Sequence, residues 1–392
     1  MSFDKLSYHK GDALNLPKGW EIKKLGEVVD VLDNLRKPIT KRDRIEGEYP
    51  YYGATGILSY VHNYIFSEKL VLIGEDGAKW ASGDNTSFIA EGKYWVNNHA
   101  HVIRPNRKII IDEWIVYFLN FSDLTPFITG MTVPKLNQEK MRSMPIPLPP
   151  LPEQQRIVSI LDECFSVIER SRNNAEQNLK NAKELFESVL QLTMDNGKLK
   201  IERLGNVAKH SLGKMLDKNK NKGEPKEYLR NQNVRWFEFD LSDLNEMPFL
   251  DNENEKYTAV KGDVMICEGG YPGRAAIWEE DYPIYFQKAV HRVRFHQPQY
   301  NNWFLYYLYH LDSSGKLKEH FTGAGIQHLT GQSLAKLPVP IPKPNEVQTI
   351  VRQLDALRAE TQKLEAIYQQ KLLNLEELKK SVLQKTFNGE IN

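Results

Sequence analysis

Three groups of residues in this chain have types and spacings that could do chemistry. The segment Phe321-Thr-Gly-Ala-Gly325 looks like the glycine loop of an adenosylmethionine-dependent methyltransferase. Such an enzyme acting on adenine would also need an Asn-Pro-Pro-aromatic motif to hold the flipped base, and none occurs. A similar segment, Phe-Ile-Thr-Gly-Met-Thr, stands at 127–132, so a turn ahead of a helix explains the glycines better. Asp84 with Glu91 and Lys93 matches the loose Asp…Glu-x-Lys pattern of magnesium nucleases, which two acids and a lysine often produce by chance. His99 and His101 lie two apart, hence on one face of a strand, where they could form half of a zinc site or a hydrogen-bonded strand face. There is no Walker A loop, no His-Glu-x-x-His and no serine elbow. The chain therefore carries no legible catalytic constellation.

Composition narrows the classes further. The 392 residues suit two or three domains, with 52 basic and 51 acidic side chains and a net charge of +1. Near-neutrality removes the crude signature of a nucleic-acid binder but leaves room for local basic faces. Two cysteines, Cys164 and Cys267, exclude a disulfide framework or a Cys-rich zinc site and fit a reducing cytoplasm. The opening MSFDKLSYHKGD lacks the apolar core of a signal peptide. The longest apolar stretch, 109–119, is broken by Asp112 and Glu113, so no membrane span is expected.

The chain is internally duplicated. Residues 145–162, PIPLPPLPEQQRIVSILD, and 338–355, PVPIPKPNEVQTIVRQLD, match at nine of eighteen positions with a constant offset of 193. The same offset aligns Thr129-Gly130 with Thr322-Gly323, Leu136 with Leu329, and SVLQ at 188–191 with SVLQ at 381–384. VLIGEDG at 71–77 echoes VMICEGG at 264–270, and IKKLGEV at 22–28 echoes IERLGNV at 201–207. Two copies of one unit explain these matches where chance does not.

Each copy has the same order of elements. A glycine- and aromatic-rich segment with short alternating runs reads as a β-rich globule with one short helix, at 114–121 and 303–311. A proline ladder follows, read as a stiff extended spacer. A long helix comes next, with a glutamate in its first turn where the helix dipole favours it. In the first helix Ile157, Leu161, Cys164, Ile168, Ala175, Ala182, Phe186 and Val189 form a stripe. In the second, Ile350, Leu354, Leu357, Thr361, Leu364, Tyr368, Leu372, Leu375 and Val382 repeat near 4-3-4-3 spacing, as in a coiled coil. The expected architecture is α+β: two β-rich globules in pseudo-twofold tandem, separated by two long antiparallel coiled-coil helices. The expected boundaries are 1–150, 151–197, 198–344 and 345–392, with net charges of +1, −3, +3 and 0. Basic runs stand early in each globule, at 36–44 and 214–226.

These residues resemble the specificity subunits of type I restriction–modification systems, the HsdS family. IPLPPLPEQQRIVSILDE at 146–163 is very similar to the opening of that family's conserved region. The copy at 339–355 departs from it, with Asn345-Glu346-Val347-Gln348 in place of the usual Glu-Gln pair. EYPYYGATGIL (48–58), LIGEDGA (72–78), NNHAHVIRP (97–105) and TVPKLN (132–137) resemble one class of target-recognition domain. YLRNQNVRW (228–236) and ICEGGYPGRAAIW (266–278) resemble another, and LPKGWEIKKLGEV (16–28) resembles the family's domain opening.

The resemblance implies a non-catalytic chain that binds double-stranded DNA, each globule reading half of a split target. It implies partner subunits: two methyltransferases using S-adenosylmethionine, and motor-nuclease subunits using ATP and magnesium. No cofactor is expected on this chain, and a cytoplasmic location follows. Polar tips beside glycine loops then become candidate DNA contacts. These are Arg36, Lys37, Lys79, Lys135 and Asn137 in the first copy, and Arg274, Gln327 and His328 in the second. Arg230, Gln232, Asn233 and Arg235 form a further cluster. The rival readings are a stand-alone DNA-binding or scaffold protein without partners, and a methyltransferase or nuclease.

Overall fold

The computed structural model describes residues 17–195, 197, 199–217 and 221–390. The opening segment, Leu16 of the family-like opening, and Lys218, Asn219 and Lys220 of the second basic run lie outside them. Two compact units form, one from 17–176 with 370–390 and one from 177–369.

In the first unit, β1 (Glu21–Lys24) leads through a single helical turn, α1 (Leu25–Val28), into β2 (Val29–Val31). The hairpin β3 (Tyr49–Gly53) and β4 (Gly56–Val61) follows, then β5 (Leu70–Gly74), β6 (Ser87–Ala90), β7 (Trp95–Val96) and β8 (Ala100–Pro105). After these come α2 (Asp112–Phe121), α3 (Gln138–Ser143), β9 (Pro145–Leu148) and the long helix α4 (Leu151–Met194). One sheet has the order β2-β8-β5-β6, and a smaller one β4-β3-β7. All five residues of β5 are buried, as expected for a strand covered on both faces.

The second unit repeats the plan. β10 (Lys200–Arg203), α5 (Leu204–Val207) and β11 (Ala208–Leu212) precede β12 (Glu224–Leu229), β13 (Asn245–Phe249), α6 (Asn254–Tyr257) and β14 (Thr258–Ala259). β15 (Val264–Cys267), β16 (Ala275–Ile277), β17 (Ile284–Phe286) and β18 (Val290–Phe295) follow, then α7 (Asn301–Ser313), α8 (Gly331–Lys336), β19 (Pro338–Ile341) and α9 (Pro344–Phe387). The sheets run β11-β18-β15-β16 and β13-β12-β17-β14.

The proline ladders are not free spacers. β9 pairs antiparallel with β1, and β19 with β10. Proline is tolerated there because each ribbon has only two strands, so an outward-facing ladder position loses no hydrogen bond. The matching residues of the repeat hold these ribbons to the helices. Trp114 Nε1 donates to Pro147 O at 2.8 Å, and Trp303 Nε1 to Pro340 O at 2.6 Å. Tyr117 donates to Asp162, and Tyr306 to Asp355. The departure in the second copy has a packing cause. Buried Gln154 donates to the carbonyls of Ile109 and Pro149 and accepts from the Ile111 N–H, whereas Val347 at the same repeat position is buried in an apolar core.

Within each unit α4 and α9 lie side by side and antiparallel. In the first, Phe165 faces Lys379 and Arg172 faces Glu376, and Phe387 packs on Trp114. In the second, Phe186, Leu190 and Met194 share a core with Val347, Val351 and Leu354. The expected stripe holds from Ile157 to Phe186 on α4, but not at Leu364, which is 37% exposed. Buried Thr361 is followed by half-buried Glu365, Tyr368, Leu372 and Leu375, so the seam keeps its 4-3-4-3 step one residue past Leu364. Leu161→Ala should therefore cost about 2–5 kcal/mol, and Leu364→Ala less than about 1 kcal/mol, in urea unfolding of the full chain.

Candidate nucleic-acid interface

Both units build the same feature at the end of a central strand. β5 ends at Gly74 and is followed by Glu75; β15 ends at Cys267 and is followed by Glu268. The Glu75 carbonyl accepts from Leu136 N at 2.8 Å, and the Glu268 carbonyl from Leu329 N at 2.8 Å. This fixes the foot of a short turn in each unit. Thr129 and Lys135 exchange both backbone hydrogen bonds at 2.8 Å, and Thr322 and His328 exchange both at 2.9 Å. A side-chain nitrogen at the foot meets the glutamate: Lys135 Nζ lies 2.6 Å from Glu75, and His328 Nδ1 3.1 Å from Glu268. Behind each foot a fully buried histidine holds the next carbonyl, His101 on Leu136 O at 2.7 Å and His291 on Leu329 O at 2.9 Å.

The two feet differ in charge. In the first unit His101 Nδ1 meets Asp33 at 2.7 Å, while Nε2 meets a carbonyl. Both nitrogens are therefore engaged. Arg36 bonds to Glu75 and to the carbonyls of Asp33 and Ala100. Burial alone would raise the Asp33 carboxyl. The His101 hydrogen bond and charge, the Val102 N–H and Arg36 outweigh it and hold Asp33 below the usual carboxylate range. In the second unit Leu212 pairs with His291, whose buried Nδ1 has no hydrogen-bond partner among the described residues. Burial pushes that imidazole below its ordinary value, so it is neutral.

Asp33, Glu75 and His101 lie within ligand distance of one another. They are an ion network rather than a metal centre, because both nitrogens of His101 are engaged and both carboxylates already hold Arg36 or Lys135. His99 pairs with Asp76. Of the nuclease-like set, Asp84 closes its own turn by accepting from Ala81 N at 2.9 Å, and Lys93 lies over Tyr64.

The candidate DNA contacts separate into three groups. Lys37, Lys79 and Gln327 are exposed, and among the described residues the two lysines make no ion pair. Lys135 in the first unit and His328 in the second each sit at a turn foot, with a side-chain nitrogen directed onto a glutamate. The others are occupied internally. Arg36 belongs to the network, and Asn137 caps α3 by accepting from Lys140 N at 2.8 Å. Arg230 and Gln232 both reach Asp243, and buried Asn233 donates to the carbonyls of Asp240 and Asp243. Arg235 bonds to Gln232 O and lies 3.5 Å from Asp240. Arg274 donates to Asn231 O at 3.0 Å beside Tyr271. The residues that sequence reasoning passed over are Asp33, Glu75 and Glu268. The two glutamates were visible as the shared acid in the VLIGEDG and VMICEGG echoes.

Comparison with known proteins places this arrangement. The model of the type I restriction modification DNA specificity domain matches residues 17–180 and again 196–374. A Haemophilus influenzae chain assigned as the type I restriction enzyme specificity subunit S.HindORF215P is 29% identical over 350 residues, 86% of each chain. The EcoDI specificity subunit of Escherichia coli is 24% identical over 96% of this chain and 89% of its own. Among solved structures, a chain from a type I R-M system aligns with a TM-score of 0.70 at 19% identity, over 96% of this chain and 99% of its own. The HsdS subunit of Thermoanaerobacter tengcongensis aligns with a TM-score of 0.60 at 18% identity, over 96% and 98%. These two share the fold. Among the described residues no helix is long and apolar enough to cross a membrane.

Proposed function

The chain belongs to the type I restriction–modification DNA specificity domain family, and from that premise we propose that it is the specificity subunit of a type I complex, each unit reading one half of a split duplex target. The observation that carries this reading is a duplicated frame with unlike loops on it. β5 and β15, the buried histidines and the tied turns repeat, while the residues around them differ: Lys135 against His328, and the Arg274 loop in one unit only. Two unlike reading surfaces on one frame suit an asymmetric, bipartite site. The long helices then set the gap and dock two methyltransferase subunits, which supply S-adenosylmethionine chemistry. Motor-nuclease subunits supply ATP and magnesium chemistry. Nothing in this chain's own side chains is assigned a bond-making role.

Mapping methylated adenines in the source genome, with and without this gene, tests the proposal. The expected motif has two different short halves around a fixed non-specific gap; a continuous or palindromic motif overturns it. Lys37→Ala and Lys79→Ala, both at exposed cations, should weaken binding to all duplexes alike. Each should reduce the slope of log affinity against log salt by about one unit. Equilibrium binding across a salt series measures this.

A further inference from the structure

The tied turns carry an unexplained feature at their tips. Met131 is fully exposed at 104% of its reference area, Val133 is 63% exposed and Ile326 is 77% exposed. Val133 and Ile326 occupy the same repeat position. Apolar side chains so exposed contribute nothing to folding, yet the turns presenting them are tightly built. Gly130 and Gly323 have φ of +89° and +107°. A Cβ on Gly130 would come 2.4 Å from Val133 O, and one on Gly323 would come 2.2 Å from Ile326 O. The backbone therefore folds onto the carbonyl of the presented residue, and only glycine permits that approach. The feet are pinned by Lys135 on Glu75 and His328 on Glu268, and the tips differ: Met-Thr-Val-Pro in one unit, Ala-Gly-Ile-Gln in the other.

We infer that Val133, with Met131, and Ile326 are specificity-determining residues that press an apolar surface onto bases of the bound duplex. This rests on the proposed reading of the chain and names where that reading occurs. A rigid frame holding a stiff β-branched side chain in water gains free energy only when something apolar covers it. On DNA that surface is a thymine methyl group in the major groove, or the face of a base pair opened by a wedge. The surroundings favour nucleic acid over a protein partner. Asp76 bridges to Lys135, which sets the loop bearing exposed Lys79 beside the first tip. His328 lies against Gly269, in the loop that ends at Arg274.

The test uses the full chain and duplexes carrying the mapped target or the same target with one half scrambled. Val133→Ser with Met131→Ser should lower affinity for the first unit's half-site about tenfold, and Ile326→Ser should do so for the second. The salt slope and the unfolding midpoint should not move, and Ile326→Leu should retain most of the affinity. Gly130→Ala and Gly323→Ala keep the tip residues but deform the turn, so they should reproduce the loss. Replacing thymine by uracil in the half-site separates the two sources: an equal loss marks the methyl group, no loss marks the wedge. If the serine variants bind target as the wild type does, the inference is overturned while the function stands. If they bind DNA normally but no longer co-purify with a methyltransferase subunit, the tips are a protein contact and the inference also falls. A wild-type chain that distinguishes neither duplex overturns the function and the inference together.

Discussion

Inserting one heptad into each long helix, within 171–178 and 367–374, should move the two methylated half-sites apart or together by about three base pairs without changing either half-site. Each helix runs unbroken for 44 residues. Seven residues preserve the phase of a 4-3-4-3 seam and add about 10 Å at 1.5 Å per residue. At 3.4 Å per base-pair step that is about three steps. The neighbouring contacts Phe165–Lys379 and Thr361–Leu357 keep their local partners, so folding of either unit should be little affected. Three steps also turn the duplex by about a third of its repeat, so methylation should slow even where the new gap is used. A heptad in one helix alone shifts the antiparallel partners past one another and should abolish methylation. Adenine mapping in cells carrying the doubled insertion decides the matter. An unaltered gap would mean that the helices are not the ruler, and altered half-sites with a constant gap would mean the same.

The parts of the fold that the sequence disclosed are those written in periodicity. The offset of 193 already paired Glu75 with Glu268, Leu136 with Leu329 and Asp162 with Asp355, and each pair turns out to do one mechanical task twice. Long helices were legible because their seams extend over dozens of residues. Leu364 was misjudged because a 3.6-residue helix lets a seam step to 365 as easily as to 364, and only the neighbouring helix decides. The individual site residues were less legible for a different reason. An arginine or asparagine beside a glycine loop has the same composition whether it faces DNA or closes its own loop. Arg36, Asn137 and Asn233 close their loops, because partners distant in sequence, or a cap three residues on, claim their hydrogen bonds. Conversely, Val133 and Ile326 read as ordinary apolar residues. Their exposure depends on the glycine turn that lifts them away from the core.

Asp33→Asn should be the most damaging single conservative change in the first unit, at about 3–5 kcal/mol, because it leaves the largely buried Arg36 and the fully buried His101 without their carboxylate. Asp33 receives His101 Nδ1 at 2.7 Å and the Val102 N–H at 2.9 Å, and lies 3.5 Å from Arg36. His101 is fully buried and cannot turn to water for another partner. The neutral amide keeps the shape but not the charge. The effect also has a pH signature with a definite sign. The folded carboxyl sits below its unfolded value, near 4 for an ordinary aspartate, so its stabilisation is fully present above about pH 4. It is lost as pH falls through the lower folded value. Wild-type stability should therefore decline on acidification across that window, and the Asn variant should decline less steeply from a lower plateau. Urea unfolding at a series of pH values, followed by the fluorescence of Trp114 and its neighbours, reads both quantities. The second unit supplies the control. Glu268→Gln removes a carboxylate whose partner His328 is part-exposed, and the buried His291 behind it is neutral. That change should cost less than about 1 kcal/mol. Equal losses in the two units would show that the network around Asp33 is no more than a surface pair, and that the charge difference between the two feet has no energetic consequence.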